Sequence, residues 1–383
     1  MKLLLYSSVF PPSVGGVETI SLTLAKNMAD CGVAVHVVTE TPAEPGFDRD
    51  FPFPVTRKPG FAERLRLVRA AELVFSNGSS IALFFHAKLA GKPFVWTHNG
   101  YQLLCLDGLG WVDGVPSPMS PMASIAFHAR RRSAFRTLVP AAKLFLRRIA
   151  ARFVDLNIAA TGWVARRQPL RNQVVLYTPY ALGPFKARDV GPSPEFDLIY
   201  VGRLVSEKGV AVLLRAFRRL IDEKGHGARR LLIVGDGQWR PMLEQCADEL
   251  QLQRNVTFAG KQTGEALFAS MSKAPIAVVP SEWEEPMGGV ALEHLAGGKA
   301  VIVAADGGMA ECIGDAGLTF RNGDADALFD CMKRLLEDDA LRARLRRRSR
   351  AQADKFDDMA LTKRYVETFE AIVREDRTQP GTA

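Results

Sequence analysis

The stretch PFKARDVGPSPEFDLIYVGRLVSEKGV, residues 184–210, decides the fold. Its first half belongs to a run over 178–197 that holds four prolines and no clear period, which reads as a linker. Its second half opens on a short apolar run, DLIYVG, followed by a basic loop and the start of a helical pattern. A strand thus begins afresh after the linker.

On the near side of that linker, KLLLYSS (2–8) reads as a strand. VETISLTLAKNMADCG (17–32) reads as a helix closed by Gly32, and VAVHVVT (33–39) as a second strand. Further strands are expected at ELVFSNG, PFVWTH, VDLNIAAT and QVVLYT. On the far side, DLIYVG, LLIVG, NVTFAG, IAVVP and AVIVAA read as strands with helical patterns between them. Short strands that are apolar on both faces and alternate with helices build parallel sheets covered by helices. A length of 383 residues allows two such domains. The expectation is an α/β chain with a domain over 1–180, a second over 195–355, and a terminal helical segment over 356–383.

The net charge of +8 suggests an anionic partner. No nucleic-acid motif accompanies it, so nucleic acid is not expected. The five cysteines are dispersed without a C-x-x-C pair, which fits a reducing cytoplasm better than a disulfide or zinc framework. The first residues, MKLLLYSSVFPP, lack the pattern of a signal peptide, and no apolar run is long enough to span a bilayer.

In open α/β sheets ligands sit beyond the carboxyl ends of the strands, and the unusual residues fall there. FPPSVGGVE (10–18) places Gly15 and Gly16 before a helix, where a backbone can approach an anion. A plain tight turn is the competing reading. YVGRLVSEKGV (200–210) places Arg203 and Lys208 after a strand, a fork and a point charge suited to a diphosphate. LLIVGDGQW (231–239) repeats the layout with Gly235 and Asp236, and Asp236 could equally cap a helix. SEWEEPMGGVALEH (281–294) carries Glu285 in a loop, Gly288 and Gly289 at a helix start, and Glu293 in that helix's second turn. A carboxylate there is costly unless satisfied, and it can accept two hydroxyl protons at once. Glu282 and Glu284 read as a solvated loop. His98 stands at the end of the strand PFVWTH. The D-x-D pairs at Asp48/Asp50 and Asp324/Asp326 follow no clear strand and are rejected as metal sites, so no metal cofactor is expected.

Together PPSVGGVE, YVGRLVSEKG, IVGDGQWRPMLEQCADELQLQRNVTFAGK and EEPMGGVALEHLAGGKAVIVAADGGMAECI resemble the GT-B fold glycosyltransferases of family 4. The last motif resembles that family's E-x7-E element, here Glu285 and Glu293. The resemblance implies two Rossmann-like doubly wound domains facing an inter-domain cleft, with the final helix crossing back to the first. It implies a retaining transfer of sugar from a UDP- or GDP-linked donor, held by the C-terminal domain, to a glycan or lipid-linked acceptor held by the N-terminal one. Arg203 and Lys208 would then clamp the diphosphate, Glu293 the ribose and Glu285 the donor sugar. Gly16, Gly235, Gly288 and Gly289 would line the donor, Lys261 would lie near the base, and His98 near the transferred sugar. Two departures are Met287, where the family commonly has Phe, and YTPYAL, where an Asn-Gly pair is frequent. A nucleotide-sugar epimerase of the same fold, or a non-catalytic sugar-binding relative, are the alternatives.

A second feature is independent of these motifs. Residues 114–154 hold no acid but eight bases: Arg130, Arg131, Arg132, Arg136, Lys143, Arg147, Arg148 and Arg152. Pro140 can start a helix there with Phe145, Leu146, Ile149 and Phe153 on one side and cations on the other. Two readings stand: the helix lies on an anionic membrane, at its inner, cytoplasmic face, or its apolar side packs on the sheet.

Overall fold

The computed structural model describes residues 1–13, 15–188 and 194–378. Val14 of the first glycine motif, 189–193 of the expected linker and 379–383 of the terminal segment lie outside the described residues.

The strands, in chain order, are β1 (Lys2–Ser7), β2 (Ala34–Thr39), β3 (Val55–Arg57), β4 (Leu73–Asn77), β5 (Phe94–His98), β6 (Trp111–Val112), β7 (Val115–Pro116), β8 (Leu156–Ala159) and β9 (Gln173–Val175). They continue as β10 (Leu198–Val201), β11 (Leu231–Val234), β12 (Val256–Phe258), β13 (Ile276–Val279), β14 (Ala300–Ala304) and β15 (Gly317–Phe320). The first helices are α1 (Gly16–Asp30), α2 (Phe61–Ala70), α3 (Ile81–Leu89), α4 (Pro121–Arg132), α5 (Ala134–Ala150), α6 (Gly162–Arg167) and α7 (Gly183–Lys186). After them come α8 (Val210–Asp222), α9 (Arg240–Glu249), α10 (Gly264–Met271), α11 (Gly289–Ala296), α12 (Gly308–Ile313), α13 (Ala325–Glu337), α14 (Asp339–Asp354) and α15 (Asp358–Thr378).

The chain divides into two units. The first comprises 1–110, 117–181 and 356–383, and the second 111–116 and 182–355. In the first, the seven strands run in the order β3-β2-β1-β4-β5-β8-β9, all parallel. Strand alternation sends Leu3 and Leu5 to one face, with Ile20 and Leu24 of α1 and Tyr365 and Phe369 of α15. Leu4 and Tyr6 point to the other, with Leu83 and Phe84 of α3 and Ala150 of α5. The terminal helix α15 is a working part of this core: Phe369 packs on Phe75 at 4.9 Å, and the Tyr365 hydroxyl donates to the Leu176 carbonyl at 3.2 Å.

The second unit repeats the plan with six parallel strands in the order β12-β11-β10-β13-β14-β15. Its helix α8 buries Val210, Leu213, Leu214, Phe217 and Leu220, the 3.6-residue stripe of a one-sided helix. The short hairpin β6-β7 groups with this unit, and Trp111 donates its indole N–H to Ser206 Oγ at 3.0 Å.

Several expectations are corrected. Pro140 does not begin a helix; α5 starts six residues earlier, at Ala134, and runs through it. The apolar side of α5 does not pack on the sheet, because Phe145, Leu146, Ile149 and Phe153 are exposed. Asp236 caps no helix: α9 starts at Arg240, and the Asp236 carboxylate accepts from the Gly237 amide instead. The rejected D-x-D pairs have other work, since Asp48 pairs with Arg57 at 2.7 Å and Asp324 caps α13.

Candidate active site

In the second unit strand order reverses between β10 and β13, which defines the switch point where a doubly wound sheet opens toward a ligand. The loops after these two strands carry the basic motif and the glutamate motif. After β10 the chain turns through Gly202 and Arg203 into a single 3-10 turn, Ser206–Lys208, and enters α8. Gly209 has φ +67°, and a Cβ there would lie 1.9 Å from the Pro280 carbonyl oxygen. Only glycine lets the β10 loop lie this close to the end of β13.

That approach brings Lys208 to the glutamate loop. Lys208 Nζ lies 2.7 Å from Glu285 Oε1, with both side chains mostly enclosed, and 5.8 Å from the centre of the Trp283 ring. Ser281 Oγ donates to the same carboxylate oxygen. The loop is fixed from behind: Gly308 donates its amide to the Glu285 carbonyl at 2.6 Å. Asn322 Nδ2 donates to the Trp283 and Asp306 carbonyls at 3.3 and 3.0 Å. Tyr200, Gly202, Lys208, Glu285, Gly288 and Met309 line a cleft at this point. Tyr200 is buried beneath it, its hydroxyl donating to the Arg203 carbonyl at 2.8 Å, and burial raises its pKa above the ordinary phenol value. Arg203 itself projects, 70% exposed, with Glu207 Oε1 at 3.5 Å.

Glu293 sits on α11, whose first turn has no side-chain cap. Its carboxylate is surrounded by protein, with a partial opening to solvent, and no donor reaches it among the described residues. Burial alone pushes its pKa up to about 7. A carboxylate held this way lacks the hydrogen bonds that ordinarily satisfy a buried acid. Its neighbour His294 points the other way into the core, where burial lowers its pKa to about 3.

The glycines of the motifs divide into two groups. Gly235 has φ +148°, and a Cβ would meet the Gly202 carbonyl oxygen at 1.8 Å. Gly288 faces Met309, whose Cγ would be 2.9 Å from an added Cβ. At both positions a side chain would collide with the unit's own atoms, and Gly288 also lines the cleft. Gly16, at the start of α1 in the first unit, has nothing within 4 Å of an added Cβ. Gly235→Ala is therefore expected to destabilise the fold by more than about 3 kcal/mol, whereas Gly16→Ala changes it by less than about 0.5 kcal/mol. Urea midpoints of the two variants check this, and equal midpoints would contradict it. Gly289 begins α11, and Lys261 is exposed just after Gly260, whose carbonyl accepts from the Gly235 amide at 2.8 Å.

His98 closes β5 in the first unit, 2% exposed and 4.9 Å from the Trp96 ring. Its Nε2 lies 2.8 Å from Asn157 Oδ1. Asn157 Nδ2 donates to the Ala151 and Arg171 carbonyls at 3.0 and 2.9 Å, which fixes Oδ1 as the acceptor. Nε2 therefore carries the proton and Nδ1 the lone pair. Burial lowers the imidazole pKa to about 4, so the ring is neutral at pH 7.

The structure brings together Lys208, Glu285 and Gly288, with Arg203 on the loop after β10 and Gly289 and Glu293 on α11, the helix after β13. Gly16 and His98 belong to the other unit. Ser281 and Asn322 were missed in the sequence. The position of Ser281 directly after β13 was the available signal; Asn322 offered none. Glu282 and Glu284 are partly enclosed rather than solvated, and burial raises the Glu282 pKa.

One similar protein is the glycogen synthase of Mycobacterium tuberculosis, 32% identical over 197 residues, covering 51% of this chain and 47% of that protein. Another is the lipopolysaccharide core biosynthesis glycosyltransferase LpsD of Rhizobium meliloti, 34% identical over 183 residues, covering 47% of this chain and 50% of that one. The chain thus spans half or less of the curated relatives it matches. Among solved structures, Anabaena HepE in complex with UDP superposes with a TM-score of 0.75 at 19% identity, over 97% of this chain and all of that one. Sucrose-phosphate synthase from Thermosynechococcus elongatus gives 0.71 at 19% identity, over 98% and 99% of the two chains. Residues 185–352 match the family described as Glycosyl transferases group 1, and the chain as a whole has the GT-B fold of two Rossmann-like α/β units.

Proposed function

We propose that this chain is a retaining, family 4 glycosyltransferase that moves a sugar from a nucleotide-diphosphate donor to a hydroxyl of a glycan, lipid-linked or cell-envelope acceptor in the cytoplasm. The observation that carries the reading is the pairing of Lys208 with Glu285 at the switch point, followed on helix α11 by a carboxylate, Glu293, that has no partner of its own. Ribose offers two adjacent hydroxyls, which is what an unpaired buried carboxylate accepts. The match of 185–352 to a glycosyltransferase family, and the UDP named with a structural neighbour, support the donor class.

In this reading charge grows on the leaving phosphate as the sugar bond breaks. Lys208 and Arg203 are cations placed to stabilise it, and the uncapped amides of α11 add their dipole. A diphosphate arriving at Lys208 competes with Glu285, freeing that carboxylate for the sugar's hydroxyls. A donor phosphate oxygen takes the acceptor's proton in a front-side attack, so no protein base is required. Lipid-linked and envelope acceptors are favoured by the lipopolysaccharide enzymes among the relatives.

The test is thermal stabilisation by a panel of UDP- and GDP-sugars. A ligand at 100 times its Kd adds about 2.7 kcal/mol, enough to raise Tm by several degrees. One nucleotide class is expected to do so. A panel in which no nucleotide-sugar shifts Tm would overturn the reading. Release of free nucleotide diphosphate only when acceptor is added would separate a transferase from the epimerase alternative.

A further inference from the structure

We propose that α5 is an interfacial helix that seats the first unit on an anionic membrane surface. The helix has two faces of opposite fate. Thr137, Leu144 and Ala150 are buried, and Ala150 and Ala151 join the core beneath the sheet. The other side carries Phe135, Leu138, Val139, Phe145, Leu146, Ile149 and, just past the helix, Phe153. Their exposures run from 42% at Phe145 to 83% at Phe135. These residues recur at spacings of three and four, so they form one stripe along the helix. A helix packed against its own domain needs one apolar side; α5 has a second that nothing in the described chain covers.

The charge around the stripe says what covers it. Arg136 and Lys143 border it on one side and Arg152 on the other, and all three are exposed. The end of the adjoining helix α4 adds exposed Arg130, Arg131 and Arg132. No acid interrupts residues 114–154. An apolar stripe edged with long basic side chains matches the layering of an anionic leaflet: rings and branched chains enter the acyl boundary while the cations stay among the headgroups. Arg148 is held inward instead, donating to the Leu103 carbonyl at 2.7 Å, and takes no part. Among the described residues no helix is long and apolar enough to cross a membrane, so the contact is one of lying on the surface. It stands independently of the donor chemistry.

Vesicle flotation of the full chain tests this, with phosphatidylglycerol-containing against pure phosphatidylcholine vesicles at low ionic strength. The wild type is expected to float only with the anionic vesicles. Each exposed cation contributes roughly fivefold to partitioning, so replacing Arg136, Lys143 and Arg152 by Gln lowers it roughly 100-fold. Replacing Phe145, Ile149 and Phe153 by Ser abolishes flotation while leaving Tm and nucleotide binding unchanged, because these side chains are already outside the core. Arg344→Gln with Arg347→Gln on α14 changes the total charge and leaves flotation intact. Failure of the wild type to float with anionic vesicles overturns the proposal. So does equal loss of flotation in the α14 variant, which would mean net charge alone is at work. A dimer that the Ser variant dissolves, without flotation, assigns the face to a second copy and overturns it as well.

Discussion

Lys208→Ala is expected to lower kcat by about 10²–10³-fold, the usual loss when one electrostatic donor to a developing anion is removed. The geometry adds a second effect. Without its ammonium, Glu285 keeps Ser281 as a donor but loses its 2.7 Å cation in an enclosed site. Stranding one partner of such a pair costs roughly 3 kcal/mol of stability. The two effects are separable. Adding Glu285→Gln to Lys208→Ala removes the stranded charge and restores most of the stability, but turnover stays low. Urea unfolding and steady-state rates on the two variants check this. Near-normal turnover in a folded Lys208→Ala protein would end the assignment of Lys208 to the leaving group.

Glu293→Gln is expected to act with opposite signs on stability and on ligand binding. The folded pKa of Glu293 is about 7 against an ordinary 4.5, so the fold favours the protonated acid. A raised pKa stabilises the fold fully below the unfolded value, and the contribution is lost as pH rises through the folded value. The unliganded protein should therefore lose up to about 3 kcal/mol between pH 5 and 8 from this group. Glu293→Gln flattens that slope and makes the unliganded protein more stable at pH 8. In the proposed function the same change removes two charge-assisted hydrogen bonds to the ribose, so nucleotide binding is expected to weaken by about 10²-fold. A variant that loses both stability and affinity would mean that Glu293 has a structural partner rather than a ligand.

The strands that were legible in the sequence are those with a short apolar run, fully buried in β13 (IAVV) but only partly buried in β9 and β12. Those that escaped lacked such a run. β3 is three residues set close after Pro52 and Pro54, β15 opens on a glycine, and the β6-β7 hairpin has two residues to a strand. The helix boundary at α5 failed for a different reason. Proline is read as a helix start, yet Pro140 lies inside α5, exposed, three residues after Thr137 and four before Leu144, which are both buried on that side of the helix. The packing of that side outweighs one missing hydrogen bond.

At the site, charge and spacing made Arg203, Lys208, Glu285 and Glu293 visible. What they could not convey is which acid meets the lysine and which is left alone; that follows from how Gly209 is forced against Pro280. The sequence also could not show that Gly235 is pressed against the Gly202 carbonyl, where a Cβ would collide.

In the proposed function Glu293 waits unpaired for the hydroxyls of a nucleotide donor. Calorimetric titration with the stabilising nucleotide-sugar at pH 6, in two buffers of different ionisation enthalpy, counts the protons exchanged on binding. Glu293 is mostly protonated at that pH and must ionise to accept two hydroxyl protons, so the wild type should release close to one proton and Glu293→Gln none. Binding without proton release, or equal release by the two proteins, would contradict the account.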